Sequence, residues 1–233
     1  MIIAGLQKTT LIDYPGKIAA TVFLAGCNFR CPFCHNRGLV LPEEIKKQSK
    51  ISENDFFKFL KAKRGLLDGV CVTGGEPTIS QDLPKFLKKI KKLMFSIKLD
   101  TNGSNPTMVK KLIDEKLISY IAMDIKASLI NKEYNKVLGV EVDLEKIKES
   151  IKIIRESGIE YEFRSTVLPK LHSRESIVSM ARALRGSKIF YLQQFRPEKT
   201  LKSFYRKARH FDQVELKTIQ EECNKYVLTK LRN

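Results

Sequence analysis

Three cysteines lie close together at Cys27, Cys31 and Cys34, and only two others occur in the 233 residues. Thiolates bind iron and zinc, exchange with disulfides and anchor haem, so the spacing has to indicate which chemistry applies. The string Cys31-Pro-Phe-Cys34-His35 has the form of a c-type haem attachment site, and it contains the Cys-x-x-Cys pair of dithiol oxidoreductases. Both assignments leave Cys27 unexplained, because each uses only the last two cysteines.

An iron–sulfur cluster fits the three cysteines better than a structural zinc ion. Structural zinc needs four closed ligands, usually in two separated pairs; no second pair exists, and His35 directly follows Cys34, where it would be a strained ligand. Three thiolates can hold three irons of a cubane and leave the fourth iron open to a small molecule. The other two cysteines are expected to have no such role: Cys71 lies in an apolar strand and Cys223 in the last helix.

The segments that must position the cysteines alternate between strand and helix patterns. Parallel pairing with right-handed crossovers follows from such alternation, in an open doubly wound sheet or an incomplete barrel. Six short apolar runs predict strands within 17–26, 69–75, 96–103, 119–126, 161–169 and 188–195. Amphipathic patterns predict helices within 52–64, 82–94, 105–117, 143–158, 173–185 and 211–229.

Unusual polar residues fall where these predicted strands end. The cysteines follow the first strand, the string GGEP (74–77) follows the second, and DTNG (100–103) follows the third. The fourth strand ends in MDIK (123–126), and the sixth ends in QQFRP (193–197). Because the carboxyl ends of parallel strands meet at one edge of a sheet, we expect a single functional site there.

Composition favours a globular, intracellular protein with one domain. The chain is 42% hydrophobic and 30% charged, which is enough apolar residue for a sizeable core. We expect one domain over 1–233, with its core over about 16–200 and a basic segment and helix over 196–233. No apolar run approaches the length of about 18 residues that a membrane span needs, and no leader is recognised, so the expected location is the cytoplasm.

The strong positive charge does not by itself indicate nucleic acid. The net charge is +17, but lysines such as those of KKIKK (88–92) alternate with apolar residues, as on the solvated face of a helix. We therefore expect no nucleic-acid or membrane partner. The denser segment 196–209 is interpreted as a solvated surface, with docking of a protein partner as the alternative.

The motifs together resemble a known superfamily. A Cys-x-x-x-Cys-x-aromatic-Cys string after a first strand, followed by GGEP after the second, resembles the radical S-adenosylmethionine (SAM) enzymes. The strings TTLIDYPGKIAATVFLAGCNFRCPFCHN, VTGGEPT, LDTNG, MDIKA and LQQFRP resemble the anaerobic ribonucleotide reductase activating proteins, relatives of the pyruvate formate-lyase activating enzyme. The resemblance runs from about Thr9 to about Arg196, and it implies a partial (β/α)6 barrel.

The resemblance also implies which residues bind the cofactors. Three cysteines would hold a [4Fe–4S] cluster, namely Cys27, Cys31 and Cys34. Residues next to the last two cysteines would contact the nucleoside of SAM, and the second strand end would receive its methionine amino group; these are Phe33, Cys34, His35, Gly74, Gly75, Glu76 and Pro77. Later strand ends would meet the ribose, the methionine carboxylate or an accessory cation; these residues are Asp100, Thr101, Asn102, Asp124, Lys126, Arg164 and Arg196. Arg196 replaces a histidine of the pyruvate formate-lyase activators.

The reaction that the resemblance implies is reductive cleavage of SAM followed by removal of a hydrogen atom from a glycine of a partner enzyme. The partner would be anaerobic ribonucleotide reductase, with a flavodoxin or ferredoxin as external electron donor. No catalytic side chain is expected, because cluster-bound SAM is the reagent. Activation of a different glycyl-radical enzyme, a small-molecule reaction such as that of a deazapurine-forming synthase, and a structural metal module are the alternatives.

Overall fold

The computed structural model describes residues 1–197 and 200–232, and its internal packing divides these residues into two compact units. The first unit comprises Met1–Asn28, Asn36–Thr101 and Thr107–Ile121. The second comprises Phe29–His35, Asn102–Pro106 and the residues from Ala122 onward. The cysteine loop is defined here as residues 26–35. Most of it, residues 29–35, belongs to the second unit, although in the sequence these residues lie between two segments of the first unit.

The first unit is built on strands that follow one another in chain order. β1 pairs antiparallel with β2, whereas β2 with β3 and β3 with β4 are parallel. The strands are β1 (Ile3–Thr10), β2 (Ala19–Leu24), β3 (Gly69–Gly74), β4 (Ser96–Thr101) and the start of β5 (Tyr120–Asp124). The helices are α1 (Arg37–Val40), α2 (Pro42–Ile45), α3 (Glu53–Ala62), α4 (Leu83–Lys92) and α5 (Pro106–Asp114).

The second unit repeats the alternation of helix and parallel strand. β6 pairs with β7 and β7 pairs with β8, in both cases parallel. Its helices are α6 (Asn131–Leu138), α7 (Leu144–Glu156), α8 (Arg174–Ala183) and α9 (Gln213–Cys223). Its strands, besides the end of β5, are β6 (Glu160–Val167), β7 (Phe190–Gln194) and β8 (Thr229–Arg232).

Amphipathic helices cover the strands as their patterns predict. In α4 the apolar residues Leu83, Phe86, Leu87 and Ile90 are buried while the lysines between them are exposed. In α7, Asp143 caps the first turn by accepting a hydrogen bond from the backbone N–H of Glu145. All six predicted strands are present; five lie inside their predicted ranges, and β6 begins at Glu160, one residue before its range. Periodicity therefore located the elements that carry the strand-end motifs.

Two strands, three short helices and one helix boundary differ from the prediction; the helices that were not predicted are α1, α2 and α6. β1 was not predicted because its second half, residues 7–9, is polar and exposed, as on an edge strand. The predicted helix 211–229 is wrong beyond Cys223, and β8 begins at Thr229. Two amide side chains fix that end of the helix: Asn224 Oδ1 accepts the N–H of Thr229 at 2.7 Å, and Gln220 Nε2 donates to its carbonyl at 2.7 Å. The backbone of Thr229 is thereby paired outside the helix.

No helix within residues 1–197 and 200–232 is both long and apolar enough to cross a membrane.

Candidate functional site

The cysteine loop begins in the first unit. Cys27 follows β2 directly after Gly26, whose φ of +103° lies in the region that favours glycine. The N–H of Gly26 donates to the carbonyl of Leu39 at 2.8 Å, which ties the end of β2 to α1. Among the described residues no two cysteines form a disulfide. Metal binding requires thiols that are not joined in disulfides.

The rest of the loop is held by residues of the second unit. A turn joins Cys31 to Cys34, where the N–H of Cys34 donates to the Cys31 carbonyl at 3.0 Å. On either side of Cys31, the N–H of Arg30 donates to the carbonyl of Leu138 at 3.1 Å, and the carbonyl of Pro32 accepts from Lys202 at 2.9 Å. The last contact involves the basic segment 196–209, so this segment supports the cysteine loop. Glu198 and Lys199 lie outside the described residues.

Aromatic contacts fix the two residues expected at the nucleoside. Phe33 is buried and packs edge-on against His172 and Phe195, with ring centroids 6.2 Å and 6.4 Å apart. The His35 ring lies 5.5 Å from the Phe195 ring. Such edge contacts orient the rings specifically. These contacts within the protein hold the rings of Phe33 and His35 in place.

The glycines of the GGEP string are required by the packing of the protein itself. A Cβ on Gly74 would overlap the backbone of Leu24, and one on Gly75 would overlap the carbonyl of Gly26. Two hydrogen bonds use this close approach: Gly75 N–H donates to Leu24 O at 2.8 Å, and Glu76 N–H donates to Gly26 O at 2.7 Å. From the sequence, these glycines were expected to lie at the methionine amino group of SAM. In the structure they let β3 end against Gly26, the residue before Cys27.

Glu76 is buried and ties the end of β3 to the end of β4. Its Oε1 accepts hydrogen bonds from the Thr78 N–H at 3.1 Å, the Thr78 hydroxyl at 2.5 Å and the Thr101 hydroxyl at 2.7 Å. Pro77 is also buried, at the start of the short 3-10 turn Pro77–Ile79. Two of the predicted strand-end motifs, GGEP and the first half of DTNG, therefore form one hydrogen-bonded group.

Asp100 pairs with a residue that the sequence analysis did not select. The Lys98 ammonium forms an ion pair with the Asp100 carboxylate, two residues farther along β4 on the same side of the strand. Lys98 is buried, and its Nζ lies 3.8 Å from the Cys71 sulfur. Cys71, interpreted from the sequence as a small hydrophobe, is buried as expected, but it has an ammonium group beside it.

The second half of the DTNG string belongs to the second unit. Asn102 closes a turn by accepting the N–H of Ser104 on Oδ1 at 2.9 Å. The carbonyl of Gly103 accepts a hydrogen bond from the buried Ser150 hydroxyl of α7 at 2.7 Å. These contacts give Asn102 a defined place in a turn.

Three charged residues at the ends of β5 and β6 form a second group. Asp124 Oδ1 accepts from Arg164 Nε at 2.5 Å, and Asp124 Oδ2 accepts from Lys126 Nζ at 2.8 Å. Burial disfavours ionisation of Asp124, but the charges of Arg164 and Lys126 outweigh it and hold its pKa well below the usual value. Burial also disfavours the Lys126 charge, yet Asp124 and the Cys31 and Cys34 thiols raise its pKa above the usual value. Lys126 therefore links the charged group to the cysteine loop.

His172, which no motif singles out in the sequence, holds the backbone of two other residues in place. It is buried; its Nδ1 accepts the Leu168 N–H at 3.2 Å, and its Nε2 lies 2.8 Å from the Lys126 carbonyl. Since a carbonyl only accepts, Nε2 carries the proton and the ring is neutral. Burial lowers the pKa of His172 to about 4. No local motif surrounds this histidine, so only the fold could identify it.

The remaining predicted residue, Arg196, is exposed just before the undescribed pair. Cys223, expected to have no role, is buried in α9, and burial raises the pKa of its thiol to about 12. Such a thiol is unreactive near neutral pH.

The donor set fits a cluster better than a single metal ion. Within the described part of the chain, no three or more histidine, cysteine or acidic side chains are arranged as ligands of one ion. Thiolates of a cubane each bind a different iron, so a cluster does not require that arrangement. Thiols of one loop could provide negative ligands, and the charge of Lys126, which interacts with Cys31 and Cys34, could compensate them. The assignment of Cys27, Cys31 and Cys34 as the three ligands remains a prediction.

The chain is similar to known proteins along most of its length. Residues 21–184 match the Radical SAM superfamily. A protein from Methanocaldococcus jannaschii, provisionally named a glycyl-radical enzyme activating enzyme, is 33% identical over 233 residues, covering 97% of this chain and 93% of the relative. A GTP 3′,8-cyclase from Aliarcobacter butzleri is 30% identical over 158 residues, covering 64% of this chain and 46% of the cyclase.

A solved structure supports the same relationship at the level of the fold. The crystal structure of Streptococcus suis SuiB bound to S-adenosylmethionine matches with a TM-score of 0.67 at 17% identity, over 91% of this chain and 52% of SuiB, so the chain spans about half of that protein. This likeness confirms the predicted α/β class with a parallel sheet, as in the partial barrels of radical SAM enzymes. The chain belongs to the radical SAM superfamily, whose members use a [4Fe–4S] cluster together with S-adenosylmethionine.

Proposed function

We propose that this protein is a glycyl-radical enzyme activating enzyme and that its protein substrate is anaerobic ribonucleoside-triphosphate reductase. The observation that carries the first part is the similarity to the M. jannaschii relative, which extends over 97% of this chain and 93% of the relative. The strings around the cysteines, GGEP and DTNG support the choice of reductase, because they resemble the activating proteins of that enzyme.

The chain's own residues supply binding and orientation in this proposal. Cys27, Cys31 and Cys34 would hold the cluster through their thiolates. When bound, the cluster and SAM supply one-electron reduction and abstraction of a hydrogen atom from the target glycine. The protein contributes geometry and shelter from water, and it needs no general acid or base for this step.

The charged group at β5 and β6 suits the carboxylate of SAM. Asp124, Lys126 and Arg164 carry formal charges that sum to +1, so the group can accept a further anion. A guanidinium presents several N–H donors in one plane, which matches a carboxylate. Lys126 also lies near Cys31 and Cys34, so an anion bound there would be close to the cysteine loop.

Electron paramagnetic resonance tests the proposal directly. The anaerobically reconstituted protein is mixed with SAM, a reductant and the reductase from the same organism. We expect a glycyl-radical doublet on the reductase that requires SAM and is lost in Cys31→Ala. Cys223→Ala is the matched control, because Cys223 is buried far along the chain in α9; it should keep the doublet. A SAM-dependent change in the cluster signal without a doublet would overturn the choice of reductase.

The similarity to the GTP cyclase supports a second candidate, a radical SAM enzyme that acts on a small molecule. It covers less of this chain than the similarity to the activating enzyme does, 64% against 97%. Incubation of the reconstituted protein with GTP and SAM separates the candidates. A nucleotide product formed without a partner protein would favour the second candidate, and a doublet on a pyruvate formate-lyase type partner would redirect the first.

A further inference from the structure

A basic patch lies on the second unit, next to its part of the cysteine loop. Residues 200–210 contain four basic side chains and no acidic one. We define the basic patch as four exposed cations and one exposed aromatic ring, namely Lys170, Lys202, Arg206, Lys207 and Phe204. Among the described residues none of these four cations has a carboxylate partner, whereas the neighbouring Arg209 pairs with Glu215 at 2.9 Å. The charge of the patch is therefore available to a partner from outside.

Hydrogen bonds fix the backbone that carries most of the patch. Thr200 is buried, and its hydroxyl donates to the Lys202 carbonyl at 2.7 Å. The N–H of Tyr205 donates to the same carbonyl at 3.1 Å, within the short 3-10 helix Ser203–Lys207. Farther along, Ala208 is buried, and its N–H donates to the Tyr205 carbonyl at 3.1 Å. The cations thus extend from a defined turn, so their spacing can match a partner's charges.

Phe204 gives the patch an apolar centre. It is 60% exposed, although phenylalanine is among the residues that are most often buried. The Lys170 ammonium lies 3.8 Å from the ring centroid, and the Tyr205 ring packs edge-on with its centroid 5.3 Å away. Aromatic rings and basic side chains of this kind are enriched at the centres of protein interfaces. The patch therefore fits a protein surface that is apolar at its centre and acidic around it.

The position of the patch indicates what such a protein would do. The N–H of Lys202 donates to the carbonyl of Pro32 at 2.9 Å, and Pro32 lies between Cys31 and Cys34. A protein bound to the patch would therefore be close to two of the predicted cluster ligands. Reductive cleavage of SAM consumes one electron. The two cysteines outside the loop are single thiols on β3 and α9, so this chain has no second set of thiols that could supply the electron.

We propose that the basic patch docks an acidic one-electron donor protein, which carries a flavin or an iron–sulfur group and reduces the cluster predicted at Cys31 and Cys34. In this step the donor is oxidised by one electron and the cluster is reduced by one, and no atom or proton is transferred. The proposal rests on the cluster ligands of the proposed function, but not on which enzyme receives the radical. It gives the external electron donor a place on the surface of this chain.

The test compares a protein donor with a small neutral reductant. Absorbance follows the reduction of cluster-loaded protein under anaerobic conditions, by flavodoxin hydroquinone as the acidic donor and separately by photoreduced 5-deazariboflavin. Calorimetry measures the binding of oxidised flavodoxin. The patch variant is Arg206→Glu/Lys207→Glu. Its matched control is Lys146→Glu/Lys152→Glu, at two exposed positions of α7, which changes the net charge equally elsewhere in the second unit.

In the patch variant we expect flavodoxin at low salt to reduce the cluster about a hundredfold more slowly and to bind about tenfold more weakly. Both losses should shrink at high salt, because screening weakens the attraction in the wild type as well. The control variant, and reduction of the patch variant by deazariboflavin, should stay within about twofold of the wild type. Phe204→Ser keeps the charge and should weaken flavodoxin binding about tenfold at any salt concentration.

Four results would overturn the proposal. Unchanged reduction by flavodoxin in the patch variant excludes docking there, and if a weaker glycyl-radical doublet accompanies it, the patch docks the radical-accepting enzyme instead. An equal loss in the control variant indicates net charge alone. An equal loss with deazariboflavin indicates a distorted cysteine loop. If the patch variant does not load the cluster, Phe204→Ser decides, and wild-type flavodoxin binding in it contradicts the proposal. Failure of the wild type to be reduced by either reductant would instead count against the predicted cluster ligands.

Discussion

Two strand ends carry opposite charges two residues apart in reverse order, and the two pairs differ in exposure and in net charge. On β4 the lysine comes first, and Lys98 is buried beneath Asp100. On β5 the carboxylate comes first, and Asp124 and Lys126 have side chains that are 24% and 17% exposed. Arg164 adds a second cation to the β5 pair only. The first pair is neutral and enclosed, whereas the second is positive and accessible to an anion.

The difference shows why position along a strand matters as much as residue type. A cation deep in the strand, such as Lys98, can act on a ligand only through the carboxylate with which it pairs. A cation at the strand end can contact a ligand. The carboxylate of Asp124 orients two such cations at once, Lys126 and Arg164. We therefore expect mutations of the first pair to act mainly on stability and mutations of the second mainly on ligand affinity.

The largest expected effect is on the enclosed pair. Lys98→Met leaves a buried carboxylate without its main counter-ion, and breaking a buried pair in this way costs about 3–5 kcal/mol of unfolding free energy. Lys126→Met should cost less, because Arg164 still compensates Asp124. Anaerobic urea unfolding of the cluster-loaded proteins measures both. Equal losses, or a larger loss in Lys126→Met, would show that the two pairs do not differ as described.

The second prediction concerns ligand affinity at the accessible group. Arg164→Met removes the cation that turns a neutral pair into a positive group, and we expect about a hundredfold weaker SAM binding, or about 2.7 kcal/mol. Arg164→Lys keeps the charge but loses the planar donors, so it should recover only part of the affinity. Calorimetry on cluster-loaded protein checks both variants. Wild-type affinity in Arg164→Met would remove this group from the proposed site.

The third prediction concerns pH and the residue that holds Lys126 in place. The pKa of His172 is about 4 in the folded protein, against a usual value of 6.5. Below pH 6.5 the unfolded chain binds a proton that the folded protein excludes, so stability is lost as the pH falls toward 4. Between pH 7.5 and pH 5 the expected loss is about 2 kcal/mol.

His172→Gln should remove this part of the acid sensitivity, measured as the difference in unfolding free energy at the two pH values. His210→Gln replaces an exposed histidine and should leave the acid sensitivity unchanged. An unchanged acid loss in His172→Gln would contradict the neutral, buried state of the ring.

The smallest expected effect is on the hydroxyl network beside the enclosed pair. Thr101→Val removes one of the hydrogen bonds that Glu76 Oε1 accepts, while the two from Thr78 remain. A single hydrogen bond of this kind contributes about 1–2 kcal/mol. Urea unfolding measures the loss, with Thr218→Val as control on the exposed face of α9. A loss as large as that of Lys98→Met would mean that hydroxyls, rather than the ion pair, dominate this strand end.

The sequence was sufficient for the main strands and helices, and it selected candidate site residues that stay predictions, but it missed the side chains that contact those residues. Apolar periodicity located all six predicted strands, because buried parallel strands are short and continuously apolar. β8 escaped prediction because its boundary is set by the amide groups of Gln220 and Asn224, which carry no periodic signal. Motifs located Glu76, Asp100, Asp124, Lys126 and Arg164. Lys98 and His172 were missed, since each acts on a motif residue through a contact that only the fold creates.

The supports of the cysteine loop impose an order on the making of the protein. Residues 29–35 emerge from the ribosome early, yet they pack with residues that are translated much later. Their partners include Leu138, His172, Phe195 and, last of all, Lys202. The loop can therefore reach its final form only after residue 202 has been synthesised. A ribosome that stalls before residue 202 leaves the loop without all of its supports.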